Sequence, residues 1–142
     1  MDTQIDLVIF GARGDLANRK LFPALFWLDH ARLLADSVRI AAVARDDIDT
    51  SEFIKQTAKT LEPILANASS SEITWDRFSQ RFDYIKIDFA EAKQYATLAE
   101  WRNPDRTMIY YLATPPTLFG SISQYLHRAD CLNESSRIVL EK

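Results

Sequence analysis

Short apolar runs alternate along this chain with longer stretches whose apolar positions recur at helical spacing. Ile5-Asp6-Leu7-Val8-Ile9-Phe10 is nearly all apolar and stops at Gly11, as expected of a parallel strand covered on both faces. From Asp15 the pattern turns helical through Leu16, Lys20 and Leu21. Pro23 is expected to kink or restart that helix, which carries Leu25, Phe26 and Leu28 and fades near Leu34. Residues 38–44 predict a second buried strand, closed by Arg45-Asp46-Asp47. Asp49 and Glu52 have capping-box spacing, and Ile54, Ala58, Leu61 and Leu65 then predict an amphipathic helix whose last turn Pro63 should disturb.

After a small polar linker over 66–71, Trp75, Phe78 and Phe82 predict one face of another helix. Tyr84-Ile85-Lys86-Ile87 alternates like a strand of a partly exposed sheet. Tyr95, Leu98 and Trp101 predict a helix over 91–102, stopped by Asn103-Pro104-Asp105. Residues 108–113 are apolar throughout and end at Thr114-Pro115-Pro116, after which Phe119, Ile122 and Leu126 line a helix that starts around Gly120. Residues 137–142 predict a fifth strand, on which the sequence stops.

Apolar strands alternating with helices specify an α/β fold, a doubly wound parallel sheet with helices on both faces and right-handed crossovers. The whole stretch 1–142 reads as one domain. Ligands of such sheets bind beyond the carboxyl ends of the strands where the strand order reverses. The residues to inspect are therefore Gly11 to Lys20, Arg45, Thr114 to Pro116, and Glu141-Lys142.

Composition narrows the field. At 142 residues, 47% hydrophobic and 26% charged, the chain has the balance of one compact domain and is neither disordered nor collagen-like. No apolar stretch approaches the ~20 residues needed to cross a bilayer, and the first residues lack the pattern of a signal peptide. A formal charge of -3 gives no broad electrostatic reason to hold nucleic acid or an anionic membrane. The single cysteine, Cys131, has no internal disulfide partner and offers no multi-Cys zinc pattern, which points to the cytoplasm and an inert thiol.

Glycine is the most informative count. There are three in the chain, about 2% against the ~7% of average proteins, and two of them are Gly11 and Gly14. Gly11-Ala12-Arg13-Gly14-Asp15-Leu16-Ala17 lies between a predicted strand and a predicted helix and is a variant of G-x-G-x-x-G. Ala12 replaces the second glycine, Gly14 comes one residue late, and Ala17 supplies a small residue for close packing. Gly11 would permit the sharp turn, Gly14 the approach of backbone N–H groups to an anion, and the helix start adds about half a positive charge. A pyrophosphate fits that description; a tight turn without ligand is the plainer alternative.

A Walker-type loop would need Gly-Lys-Ser/Thr, which is absent here, and Arg13-Gly14-Asp15 sits at a strand–helix junction rather than at an exposed adhesion tip. At the end of the second strand, where NAD sites place an acidic residue for the ribose 2'-hydroxyl, stands Arg45. A guanidinium holds a 2'-phosphate bidentately, worth ~1.5–3 kcal/mol, so NADP is expected over NAD. Asp46 and Asp47 follow at once, and a solvated surface cluster is the alternative there.

With these residues in place, the chain resembles the N-terminal coenzyme domain of glucose-6-phosphate 1-dehydrogenases, particularly bacterial ones. Residues 9–26 are similar to that family's G-A-x-G-D-L-A-x-R-K-L-x-P-A-L-F signature, and Tyr111-Leu112-Ala113-Thr114-Pro115-Pro116 to its Y-L-A-x-P-P. Arg45, Asp88-Phe89 and Val139-Leu140-Glu141-Lys142 also fall in register. The resemblance implies a Rossmann-like domain with NADP as cofactor: Gly11 to Ala17 as the coenzyme loop, Arg45 at the 2'-phosphate, Asp88 and Phe89 near the adenosine. Lys20 and Lys142 match family lysines where nicotinamide meets the sugar phosphate. Arg13 departs from the small residue or lysine usual at its position.

The family oxidises glucose 6-phosphate to its lactone with hydride transfer to NADP, while a histidine takes the hydroxyl proton. The R-I-D-H-Y-L-G-K-E segment that carries this histidine is absent from the 142 residues, as is the family's large substrate and dimerisation domain. His30 and His127 map to helices away from the strand ends and are not expected to replace it. The resemblance therefore implies cofactor binding without turnover by this chain. A non-catalytic NADP-binding interaction module is the alternative, with Ile138-Val139-Leu140 as an edge open to self-association.

Overall fold

The computed structural model describes residues 4–141. Five parallel strands, β1 (Ile5–Phe10), β2 (Arg39–Ala44), β3 (Phe82–Lys86), β4 (Thr107–Leu112) and β5 (Arg137–Leu140), form one sheet in the order β3-β2-β1-β4-β5. The chain steps outward from β1 to β2 and β3, then returns to the other side of β1 for β4 and β5. This reversal leaves a switch point between the carboxyl ends of β1 and β4, whose ladder runs from Ile5 beside Thr107 to Phe10 beside Leu112.

The central strands are apolar because both of their faces are covered. On one face Ile9, Ile40 and Ala42 meet Phe22 and Phe26 of α1 (Phe22–His30), Phe53 of α2 (Thr50–Thr60) and Phe78 of α4 (Ser71–Ser79). The short α3 (Glu62–Leu65) lies between α2 and α4 in the chain. On the other face Val8, Phe10, Tyr110 and Leu112 meet Leu98 of α5 (Ala96–Trp101) and Ile122 and Leu126 of α6 (Phe119–Arg128). Two buried carboxylates break the apolar rule and are paired. Asp6 is buried on β1 between Arg39 and Arg106. Asp29 is buried on α1 between Arg77 and Arg81.

Five local expectations are revised. Phe82 is the first residue of β3, not the last of a helical face: α4 ends at Ser79, and Phe82 reaches the same aromatic cluster from the sheet, 5.1 Å edge-on to Phe78. Both placements satisfy one apolar spacing. The buried stripe of α2 is Phe53 and Thr57, continued by Leu61, rather than Ile54 and Ala58, which are half-buried on its flank. Its capping box is formed on one side, with the Glu52 N–H donating to Asp49 Oδ1 at 2.8 Å. The helix expected over 91–102 divides into a 3-10 turn, Ala92–Tyr95, followed by α5.

The first helix ends at His30 rather than near Leu34, and Arg32 just beyond has φ +61. Pro23 restarts it, as expected: α1 begins at Phe22 with the proline in its first turn. A π-helical turn over Ala17–Leu21 precedes Phe22, with the Phe22 N–H reaching back to the Ala17 carbonyl. The widened turn falls where the ring of Pro23 would crowd the Arg19 carbonyl of a regular α-helix.

Candidate functional site

The loop after β1 is built so that only glycine fits its first position. Gly11 has φ +87, and a Cβ there would stand 2.4 Å from the Ala113 carbonyl oxygen at the end of β4. The N–H groups of Gly11 and Ala12 both turn to the Val43 carbonyl of β2, at 3.0 and 3.2 Å, so the loop is sewn to β2. Gly14 N–H closes the turn on the Gly11 carbonyl at 2.9 Å, and a Cβ on Gly14 would lie 3.2 Å from that oxygen. The amide of Gly14 therefore serves the loop itself. The N–H groups left for an anion are those of the helical turn entered at Asp15, which has no intrahelical partner for its first amides.

Asn18 completes the loop. Its Nδ2 donates to the Ala12 carbonyl at 3.1 Å and to the Gly14 carbonyl at 2.8 Å. Sequence reasoning passes over this residue; the available signal is an amide one helical turn after Gly14, half-buried where a helix surface residue would be exposed.

A crevice of about 590 Å³ opens at the switch point, within the range of dinucleotide and drug-sized sites. Gly11, Arg13 and Gly14 form one wall; Arg45 and Asp46, after β2, form the next; Asp88 and Phe89, after β3, and Pro115, after β4, complete it. Of the residues singled out in the sequence, Gly11, Arg13, Gly14, Arg45, Asp88 and Phe89 are thus brought together. Ala12 and Ala17 are buried beneath the loop, and half-buried Leu16 lies between its helical entry and the core. Asp15 is exposed and pairs with Arg19 one turn on at 3.0 Å. Lys20 is exposed and outside the crevice wall, and Lys142 lies outside the described residues.

The floor is held from behind. Phe89 meets Phe10 edge-on at 5.4 Å, and the Tyr95 hydroxyl donates to the Phe89 carbonyl at 3.0 Å. Asp88 accepts the Ala90 N–H at 3.0 Å, while its own N–H goes to Gln94. Burial raises the Tyr95 phenol well above its usual range, so it stays a donor.

Charge is concentrated beside β2. Arg45 is exposed and makes no hydrogen bond or ion pair among the described residues. Asp46 accepts Arg13 Nε at 3.1 Å, and Arg13 also donates to Gln56 of α2. The Tyr84 hydroxyl donates to the Asp46 carbonyl at 2.8 Å; burial, with the Asp46 charge adding, pushes that phenol up to about 12.

A larger hollow, about 670 Å³, lies at the amino end of β2 among Arg32, Arg39, Arg77 and Arg81. Its buried arginine has no donor to spare: Arg81 serves Asp29 and the carbonyls of Leu34, Ala35 and Val38. This hollow is a by-product of the ion pairs that hold α1, α4 and β2 together. His30 and His127 are also far from the crevice chemistry: His30 bonds Thr74 on α4 at 2.8 Å, and His127 is exposed in the last turn of α6. No helix among the described residues is long and apolar enough to cross a membrane.

Known proteins share this arrangement. A family model described as "Glucose-6-phosphate dehydrogenase, NAD binding domain" matches residues 8–142. The glucose-6-phosphate 1-dehydrogenase of Dickeya dadantii (strain 3937) is 38% identical over 140 residues, covering 96% of this chain and 28% of the relative. The crystal structure of glucose-6-phosphate 1-dehydrogenase from Mycobacterium avium aligns with a TM-score of 0.89 at 32% identity, covering 100% of this chain and 30% of that one. A solved glucose-6-phosphate dehydrogenase in complex with its substrate glucose-6-phosphate shares the fold, with a TM-score of 0.83 at 24% identity over 98% of this chain and 30% of that one. The chain spans under a third of the length of these relatives. A glycine loop at the switch point of a parallel sheet, matched along nearly its whole length, places this chain in the glucose-6-phosphate dehydrogenase NAD-binding-domain family.

Proposed function

We propose that this chain is the dinucleotide-binding part of a glucose-6-phosphate dehydrogenase and prefers NADP to NAD. The observation that carries the reading is the crevice at the switch point, lined by Gly11, Gly14, Arg45, Asp88 and Phe89, whose first wall depends on a glycine at position 11 because a Cβ there would strike the Ala113 carbonyl. That crevice has the volume and donors that a dinucleotide needs. In this reading the amides entered at Asp15 face the pyrophosphate, and Arg45, exposed and without a partner among the described residues, meets the 2'-phosphate. Asp88 and Phe89 bound the adenosine side. Lys20 and Lys142 are assigned to the junction of nicotinamide and sugar phosphate by resemblance alone.

Bound NADP supplies the acceptor for a hydride from C1 of glucose 6-phosphate, whose oxidation yields the lactone. The chain's own residues bind and orient; none of the 142 is assigned the proton transfer, since the histidine segment of the family is not among them. Binding without turnover is therefore expected, in a cytoplasmic setting. The test is calorimetric titration with NADP and NAD at low salt, for the chain and for Arg45→Ala. Tighter NADP binding that is lost in the variant supports the assignment; equal affinities remove Arg45 from the 2'-phosphate; no binding of either nucleotide overturns the reading.

A second reading, an NADP-binding interaction module, draws on β5. All four of its residues are exposed, Ile138, Val139 and Leu140 at 36%, 38% and 51%, on an edge of the sheet. Self-association through that edge would appear as a concentration-dependent mass in sedimentation, and a monomer at high concentration would remove it.

A further inference from the structure

We propose that Arg13 and Asp46 form a specificity latch: Arg13 holds the Asp46 carboxylate so that a site with an acidic residue at the end of β2 still takes a 2'-phosphate. The inference rests on the dinucleotide reading above and extends it to the contact between Arg13 of the loop and Asp46 beyond β2.

Asp46 stands just beyond the end of β2, next to Arg45 and in the same crevice wall. A free carboxylate in that region does three things. It accepts a hydrogen bond from a ribose 2'-hydroxyl, it repels a phosphate, and it competes for the neighbouring guanidinium. Each favours NAD over NADP. In this chain the carboxylate is occupied, because Arg13 Nε donates to Asp46 Oδ2 at 3.1 Å.

The latch is anchored from a third element. Arg13 also donates to Gln56 Oε1, and Gln56 Nε2 in turn donates to Glu52 at 2.9 Å, one turn earlier on α2. The Asp46 backbone is fixed separately by the Tyr84 hydroxyl at 2.8 Å. Loop, strand end and helix therefore converge on one ion pair at the rim of the crevice. Its side chains are 31% and 40% exposed, so the pair sits at the rim in contact with water. Asp47, by contrast, is 92% exposed and lies 3.7 Å from Lys86, a solvated charge with no part in the latch. Arg45 is left without a partner among the described residues, open to an incoming anion.

Two roles for Arg13 give different outcomes in a double-mutant cycle. If Arg13 only neutralises Asp46, its loss matters while the carboxylate is present and ceases to matter once the carboxylate is gone. If Arg13 itself grips the phosphate, its loss costs the same in either background. The experiment measures dissociation constants for NADP and NAD by calorimetry for the chain, Arg13→Ala, Asp46→Asn and the double variant. Arg13→Gln serves as a second replacement, and thermal unfolding confirms that each variant is folded.

The latch predicts that Arg13→Ala lowers the preference for NADP over NAD about tenfold. It also predicts that adding Arg13→Ala to Asp46→Asn changes that preference by less than about twofold. An equal loss in both backgrounds, or no change in either, overturns the latch while leaving the dinucleotide reading standing. A folded chain that binds neither nucleotide overturns both.

Discussion

The Tyr111 hydroxyl donates to Glu141 Oε2 at 2.6 Å, tying the end of β5 to β4 beside the switch point. That bond to Glu141, with burial second, pushes the Tyr111 phenol up to about 12. Tyr84 is raised to about 12 by burial first and the nearby Asp46 charge second. Both folded-state values exceed the ~10 of an unfolded tyrosine. The unfolded chain thus gives up these protons first, and the stabilisation is complete below about pH 10 and lost as pH rises through about 12. Denaturant midpoints are expected to fall across that window. Tyr111→Phe should fall less steeply there, while losing about 1 kcal/mol at neutral pH.

Gly11 and Gly120 should respond to alanine with opposite signs. Gly11→Ala meets both a positive φ and the Ala113 oxygen, and a loss of about 2–4 kcal/mol is expected. Gly120 lies in α6, and a methyl group added there would meet nothing within 4 Å, so Gly120→Ala should stabilise by about 0.5–1 kcal/mol. Thermal melts of the two variants check the contrast, and nucleotide titration should register only the first.

What is legible in the sequence is whatever rests on local periodicity and on one loop. Four apolar runs, one alternating segment and a scarcity of glycine are enough to find the strands and the tight turn at Gly11. Phe82 reads as helical because an aromatic four residues after Phe78 fits a helical face as well as it fits a strand facing the same cluster. The stripe on α2 reads one position off because Thr57, polar by type, is buried there. The contacts of Arg13 with Asp46 and Gln56 join residues 33 and 43 positions apart, and no one-dimensional pattern carries such pairings. Lys20 is credited by resemblance, and it stands exposed on the π-helical turn, outside the crevice wall.

The buried ion pair at the amino end of the sheet offers a test of fold without function. Asp29 is 1% exposed and binds Arg81 through both carboxylate oxygens, at 3.0 Å each. Asp29→Ala leaves the 7% exposed Arg81 charge without its partner, a change that costs about 3–5 kcal/mol. Replacing both residues, Asp29→Leu with Arg81→Met, should recover only part of the loss: the buried Arg81 charge is gone, but Arg77 still lacks its carboxylate and the carbonyls of Leu34, Ala35 and Val38 lose their donor. The pair lies at the opposite end of the sheet from the crevice, so nucleotide affinity of the folded variants is expected to be unchanged.

Asn18 separates the shape of the loop from its charge. Its side-chain amide donates to two carbonyls, Ala12 and Gly14, and so fixes the turn that leads into the helix. Asn18→Ala should cost about 1 kcal/mol of stability and weaken NADP and NAD severalfold alike, since the pyrophosphate is common to both. Their ratio should stay fixed, in contrast to Arg45→Ala, which acts at the 2'-position. Asn18→Asp is the sharper variant. It keeps the size but exchanges the donor for a second oxygen, which faces two carbonyl oxygens and adds negative charge near the anion cradle. Both affinities should fall further than in Asn18→Ala, and more steeply at low salt, where screening is weakest. Parallel titrations at two ionic strengths decide the point: a ratio that shifts with Asn18 would move this residue from the shape of the loop to the recognition of the ribose.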